Sequence, residues 1–355
     1  MFKFLIGFVG FVFGNNVPIY DESRDAMALL FEKYLKDYNK AYIPELIDLR
    51  FNIFDENVKA INKHNKLYLE SENKELLYYF DINQFTDWSY DEFRGYNKYD
   101  ATGFGKEKTL TYVTEHPMND KWNVNALPES IDWSTVNPAV VTPVKNQGNC
   151  GSCWAFGATG SWESRWALAT GTLNSLSEQE LIDCVPTENC ELGGFSDAAF
   201  SWGIQNGGDA LEKDYSYVGR DGSCKKSNYK QYNPLESVFI IQRDNETAMM
   251  VGLQSGPITV AVDAAGWSPY KGGIFNGKCG TNLDHNVIVV GYGQDSSGNK
   301  YWKIKNSWGA SWGENGYIRI CRDCGKNGNE GECGINKSPS YPIVKANATQ
   351  INIYS

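Results

Sequence analysis

The run Gln147-Gly148-Asn149-Cys150-Gly151-Ser152-Cys153-Trp154-Ala155-Phe156 sets a cysteine at the start of an apolar stretch that reads as a helix. A thiol attacks as the thiolate, and the free N–H groups and positive dipole end of a helix start favour that form at Cys153. The dipole supplies only part of the shift, so an imidazole is needed to take the proton and a third group to hold the ring. Downstream of residue 116 the sequence has a single histidine, His285, and Asn306 is the candidate to orient it. Acyl transfer also needs donors aimed at a tetrahedral oxyanion. The side-chain amide of Gln147 and the backbone N–H of Cys153 are the candidates.

These residues must be brought together by the elements that carry them. Residues 285–292 and 300–306 flank the turn-forming run from Gly293 to Asn299, which predicts an antiparallel hairpin with His285 and Asn306 close across the pair. Trp308 is placed to shield their hydrogen bond from water. A helix is expected from Ser152 to Ala169, with Trp154, Ala158, Trp162 and Trp166 four apart. Ser177 and Glu180 predict a capping box opening a helix through Cys184. Apolar runs at 258–262, 287–292, 301–304 and 317–321 predict strands. Helices first and strands second indicate an α+β protein of two lobes.

The first hundred residues differ in character. From Asp21 to Tyr99 there is no cysteine, and Leu46, Arg50, Phe54, Asn57, Ile61 and Asn65 share one face of a helix predicted from Pro44 to Leu69. Polar Arg50, Asn57 and Asn65 on an inner face require specific partners. A short strand-like alternation at 78–86 and a helix start at Asp87 follow. Residues 99–126 lose periodicity and read as a linker, which puts a boundary near Ala126.

At 355 residues the chain is long enough for two or three compact units. A formal charge of −10 with scattered Lys and Arg excludes nucleic acid as the main partner. Residues 1–14 read as a secretory signal peptide, too short to span a bilayer, and no later segment is apolar enough to cross one. Nine cysteines behind it indicate disulfides with one thiol left over. Sequons stand at Asn245, Asn336 and Asn347, of which Asn245 and Asn347 are the better candidates.

Cys150-Gly151-Ser152-Cys153-Trp154, with His285 and Asn306 at suitable downstream distances, resembles the papain family of cysteine proteases, and specifically a cathepsin L-like preproenzyme. The resemblance extends to Ser130-Ile131-Asp132-Trp133, Leu176-Ser177-Glu178-Gln179-Glu180-Leu181, Gly193-Gly194, Gly291-Tyr292-Gly293, Asn306-Ser307-Trp308-Gly309 and Tyr341-Pro342. It implies a signal peptide over 1–14, an inhibitory propeptide over 15–126 and a peptidase domain over 127–355. That domain should have a helical left lobe and a β-barrel-like right lobe. The implied activity is cysteine endopeptidase action without cofactor or metal. The partners are protein and peptide substrates, the protein's own propeptide and cystatin-like inhibitors. The chain should act as a monomer in a lysosomal, endosomal or extracellular setting.

Residue by residue, the resemblance gives Gln147 the oxyanion-hole role and puts Gly193, Gly194, Phe195, Ser196, Ala261, Leu283, Asp284, Trp308 and Ser338 around the substrate. The pocket for the side chain two residues before the cut should favour Leu, Val or Phe over Arg. Implied bridges are Cys150–Cys190, Cys184–Cys224 and Cys279–Cys333. Arg50, Phe54, Asn57, Ile61 and Asn65 match the helical motif of such propeptides, but Leu46 stands where that motif has Glu. Asn83, Phe85 and Asp87 match a second motif, with Asp81 in place of its usual Gly. Acid conversion is expected because carboxylates such as Asp81 and Asp87 lose their charge and pairings as pH falls.

Other readings use the same residues. Cys150 and Cys153 form a C-x-x-C pair of the redox type, but no βαβ pattern surrounds it. Cys321 and Cys324 could be zinc ligands, yet no histidine lies near, and a short fourth disulfide fits better. An inactive papain-like binding protein and a cysteine peptide ligase are the alternative functions.

Overall fold

The computed structural model describes residues 17–71, 76–98, 113–114, 127–325 and 327–346. The expected signal peptide, most of the 99–126 linker and the sequon at Asn347 lie outside them.

The N-terminal unit is built on two helices, α1 (Arg24–Asp37) and α2 (Pro44–Glu70). Met27, Phe31 and Tyr34 of α1 pack on Phe54 and Val58 of α2 as a small aromatic core. Burying one such Phe stabilises by roughly 1.5–3 kcal/mol. The polar positions on the α2 face have the partners they require. Arg50 makes a two-pronged pair with Glu92 and also donates to the Asp87 carbonyl. Asn57 donates to Thr86 O and Trp88 O, and Asn65 to Pro18 O and Phe80 O. With Arg50 satisfied by Glu92, Leu46 is left on the surface at 37% exposure.

Beyond α2 the chain forms β1 (Tyr78–Phe80) and α3 (Tyr90–Tyr96). The helix starts three residues later than expected. Asp87 cannot cap it because its carboxylate is held by Tyr34, Tyr42 and Lys40. Ser89 caps instead, in a reciprocal box with Glu92.

In the left lobe, α4 (Cys153–Thr170) is buried on nearly every side, so the Trp row at fourfold spacing is part of a core helix, with Trp166 half-exposed. Gly171 closes it in the left-handed conformation. Around it pack α5 (Glu178–Cys184) and α6 (Ser196–Asn206). Only half of the expected box opens α5. Ser177 Oγ accepts from Glu180 N, but the Glu180 carboxylate turns to Ala210 N and Gln231.

The right lobe holds β3 (Ile131–Asp132), β4 (Leu235–Ile240), α7 (Glu246–Leu253), β5 (Ile258–Val262), β6 (Tyr270–Phe275), β7 (His285–Gln294), β8 (Lys300–Lys305), β9 (Tyr317–Cys321) and β10 (Ser340–Val344). With β2 (Val113–Thr114) the sheet runs β1-β6-β9-β8-β7-β5-β10-β4-β2, with β3 on β7. Among the described residues the sheet is open, since the ends of this path, β1 and β2, do not pair with each other. Both end strands come from upstream of residue 127. Inside the expected linker, Val113–Thr114 adds parallel to Val238–Phe239, an edge pairing made by backbone groups and so invisible to side-chain periodicity.

Four disulfides join Cys150–Cys190, Cys184–Cys224, Cys279–Cys333 and Cys321–Cys324. Cys153 is the free cysteine. No helix among the described residues is long and apolar enough to cross a membrane.

Candidate active site

Cys153 is the first residue of α4, after Ser152. Its side chain is fully buried and packs with Ala261, Leu283 and Phe195, three of the residues expected around the substrate. His285 opens β7, Asn306 follows β8, and their register brings them together as the hairpin predicts. His285 Nε2 lies 2.8 Å from Asn306 Oδ1. The Ser307 N–H also donates to Asn306 Oδ1 at 2.8 Å, which fixes the amide so that its oxygen faces the ring and Nε2 carries the proton. Nδ1 is buried without a hydrogen-bond partner and is the nitrogen left to accept a proton. Trp308 stacks on the imidazole, with ring centroids 4.6 Å apart at 24°.

Gln147 is fully buried. Its Oε1 accepts from Ser307 Oγ at 2.7 Å, and Nε2 donates to Cys150 O at 3.1 Å. Tyr217 donates to the Gln147 carbonyl and also lies 2.8 Å from Ser152 Oγ. Sequence reasoning missed both Tyr217 and Ser307. Ser307 was readable from its place between Asn306 and Trp308; Tyr217 carried no local signal.

The remaining expected substrate residues are distributed as follows. Gly193 has φ +78°, and a Cβ there would overlap the Lys98 carbonyl. Gly194 has no room for one against Glu188 and Trp154. Ser196 Oγ lies 2.8 Å from both Trp154 O and Asn286 Oδ1. Ser338 is buried two residues before β10. Asp284 accepts from Ala264 N, and burial pushes its carboxyl up to about 7.

A segment of the N-terminal unit covers this site. β1 pairs with β6, matching Tyr78 to Gly273. Asn83 and Gln84 donate to Ser268 O and Trp308 O at 2.6 and 2.7 Å. Phe85, Phe93 and Tyr96 ring Trp308 with centroids 5.4, 5.3 and 6.3 Å from it. From Trp308 the chain crosses to Gly151 and Gly193, which meet Lys98.

Burial reverses the expectation that the helix start lowers the thiol pKa. Burial pushes Cys153 up to about 12, against backbone N–H groups of Asn286, Trp154 and Cys153 itself that favour the thiolate. Burial likewise pulls His285 down to about 4, although the Asn306 hydrogen bond favours the charged ring. A helix dipole is worth about 0.3–1 kcal/mol at exposed sites and does not offset full desolvation. In this state both groups are neutral at physiological pH.

A buried thiol that meets the backbone N–H of Asn286, the residue after an amide-held imidazole, roofed by an upstream stretch of the same chain, defines a thiol-dependent hydrolase in a shut state. Comparison with known proteins narrows the class. Residues 127–343 match the model for papain family cysteine proteases, and residues 31–93 that for the cathepsin propeptide inhibitor domain. Fruit bromelain from Ananas comosus is 38% identical over 340 residues, covering 94% of this chain and 92% of that protein. Ananain from the same plant is 39% identical, covering 92% and 90%. Among solved structures, a recombinant stem bromelain precursor superposes with a TM-score of 0.80 at 38% identity, over 90% of this chain and 99% of that one. Digestive procathepsin L 3 of Tenebrio molitor larval midgut gives 0.76 at 35% identity, over 89% and 99%. The chain belongs to the papain family of cysteine proteases, and it carries the cathepsin-type inhibitory propeptide in front of the protease domain.

Proposed function

We propose that this chain is the precursor of a cysteine endopeptidase in which Cys153 is the nucleophile, His285 its proton acceptor and later donor, and Asn306 the group that orients the ring. The observation that carries the reading is the 2.8 Å bond from His285 Nε2 to Asn306 Oδ1 beneath Trp308, which leaves Nδ1 unpartnered on the residue next to Asn286, whose backbone N–H meets the free thiol. Once the cover leaves, water re-enters and the thiolate–imidazolium pair becomes accessible. The thiolate attacks the scissile carbonyl. His285 gives its proton to the departing amine, and water then releases the acyl group. Gln147 Nε2 and the Cys153 N–H stabilise the oxyanion, for which the Gln147 amide must let go of the Cys150 carbonyl.

Phe195, Ala261 and Leu283, with Ser338 and Ser196 beside them, take an apolar side chain two residues before the cut. Leu, Val or Phe is favoured there over Arg. Gly193 and Gly194 bind substrate backbone, with Asp284 and Trp308 on the side of the leaving group. In the precursor, Lys98 stands against Gly193, so the propeptide occupies the cleft that substrate needs. Residues 1–14 direct the chain into the secretory pathway, 15–126 form the propeptide and 127–355 the peptidase domain. The enzyme acts as a monomer in a lysosomal, endosomal or extracellular setting and is open to cystatin-like inhibitors. Asn245 is the glycan site among the described sequons, because Asn336 is only 2% exposed.

Purified precursor held at pH 4–5 under reducing conditions should convert to a shorter active form, and Cys153→Ser should not convert itself. Wild-type precursor that stays full length, or Cys153→Ser that converts equally well, contradicts the reading.

A further inference from the structure

The helix that carries Cys153 and the strand that carries His285 meet through small residues. Gly157 lies one turn beyond Cys153 on the same face of α4. A Cβ at Gly157 would overlap Asn286 Oδ1, and one at Gly160 would overlap Ile288 Cδ1. Asn286 directly follows His285 on β7, and its side chain is therefore seated against the nucleophile helix. Ser196, the first residue of α6, sits 2.8 Å from Asn286 Oδ1 and 2.8 Å from the carbonyl of Trp154, the residue after Cys153. Thr259 on the neighbouring strand β5 adds a hydrogen bond to Gly157 O. Asn286 is 3% exposed, so water does not compete for its amide. An amide in this place, rather than an apolar group, ties three elements to one point.

We propose that Asn286 is a positioning residue whose side-chain amide, tied to Ser196, sets the separation between the helix bearing Cys153 and the strand bearing His285. The proposal rests on the assignment of those two residues as the catalytic pair. Removing the amide leaves the pair intact but lets α4 and β7 shift, and sub-ångström shifts in such pairs reach the rate directly.

The test uses full-length precursor converted at acid pH, with Asn286→Ala and Ser196→Ala beside wild type and Cys153→Ser. Asn286→Ala should lower kcat by about tenfold or more with KM changed less than about twofold. The acidic limb of the alkylation rate of the thiol by iodoacetamide should move to higher pH, a readout that a merely structural role would leave in place. Ser196→Ala should move both readouts in the same direction by less, and it keeps the test open if Asn286→Ala does not fold. Wild-type kcat and an unshifted alkylation profile in the folded variants would overturn the proposal, as would a change confined to KM in Asn286→Ala. Turnover by Cys153→Ser would instead overturn the catalytic assignment beneath it.

Discussion

Among the described residues of the propeptide, the side chain whose titration burial displaces within the mildly acidic range is a histidine; in the two lobes it is chiefly a set of carboxyls. His64 on α2 lies between the rings of Tyr78 and Phe80, at 4.6 and 4.0 Å, with Nε2 on Tyr78 O at 3.0 Å. Burial holds its pKa below the ordinary value. Its contribution to stability is therefore present above the unfolded value near 6.5 and is lost as pH falls from there toward the folded value. His285, under the aromatic patch that the propeptide packs on Trp308, has the same sign, with its pKa drawn down to about 4.

Burial displaces the carboxyls the other way. Asp197 is pushed up to about 6, Glu212 to about 7 and Asp284 to about 7, while Asp209, fully buried beside Glu180, stands well above the carboxylate range. Their contributions are complete below the unfolded carboxylate values and are lost as pH rises through 6–7 and beyond. On these signs acid should loosen the cover around His64 and firm the carboxyl-bearing lobes beneath it. The Arg50–Glu92 pair keeps most of its contribution at pH 4–5 and loses it mainly below that range, because Arg50 holds Glu92 down to about 2.

That contrast can be broken most sharply at the propeptide's hold on Trp308. Phe85→Ala removes a buried ring in contact with Trp88, Phe93, Tyr96 and Trp308 and should cost about 3–5 kcal/mol of docking. The precursor should then cleave a fluorogenic peptide at pH 7 without an acid step, and a variant as silent as wild type would break the account of the cover. A smaller effect is expected in the converted enzyme. Its Tm should be higher at pH 5 than at pH 7.5, and Asp209→Asn should flatten that dependence; a Tm that rises toward pH 7.5 would remove the carboxyl half of the comparison. The smallest concerns His64→Phe, which keeps the ring and deletes the titration. The midpoint pH of conversion should fall by ~0.5–1 unit, read from gels across a pH series, and an unmoved midpoint would assign the acid response to other groups.

The parts of this arrangement legible in the sequence are those fixed by local pattern or by scarcity. Arg50, Phe54, Asn57, Ile61 and Asn65 marked the inner face of α2 by period alone, and a single downstream histidine left His285 as the only imidazole for Cys153. The hairpin that joins His285 to Asn306 announced itself through its turn residues. What was not legible depends on contacts between distant segments. The rise in the Cys153 pKa comes from burial, which no helix-start argument contains. Pairing of Tyr78 with Gly273, nearly two hundred residues away, leaves no mark on either segment. Asp87 looked like a helix cap until Tyr34, Tyr42 and Lys40, brought in by α1 and the loop after it, took its carboxylate. Nothing in the sequence marks Asn286 beside His285, because its partner, Ser196, lies ninety residues upstream on α6.

The central claim is that Cys153 is a nucleophile masked by the propeptide and released by acid, and an epoxide inactivator of cysteine proteases tests it most directly. Converted enzyme and untreated precursor would be exposed to the reagent at the same pH and the adducts mapped by peptide mass spectrometry. The account predicts a single adduct on Cys153 in the converted enzyme, with labelling of the precursor slower by ~100-fold or more. An adduct on any other residue, or equal rates in the two forms, would contradict it.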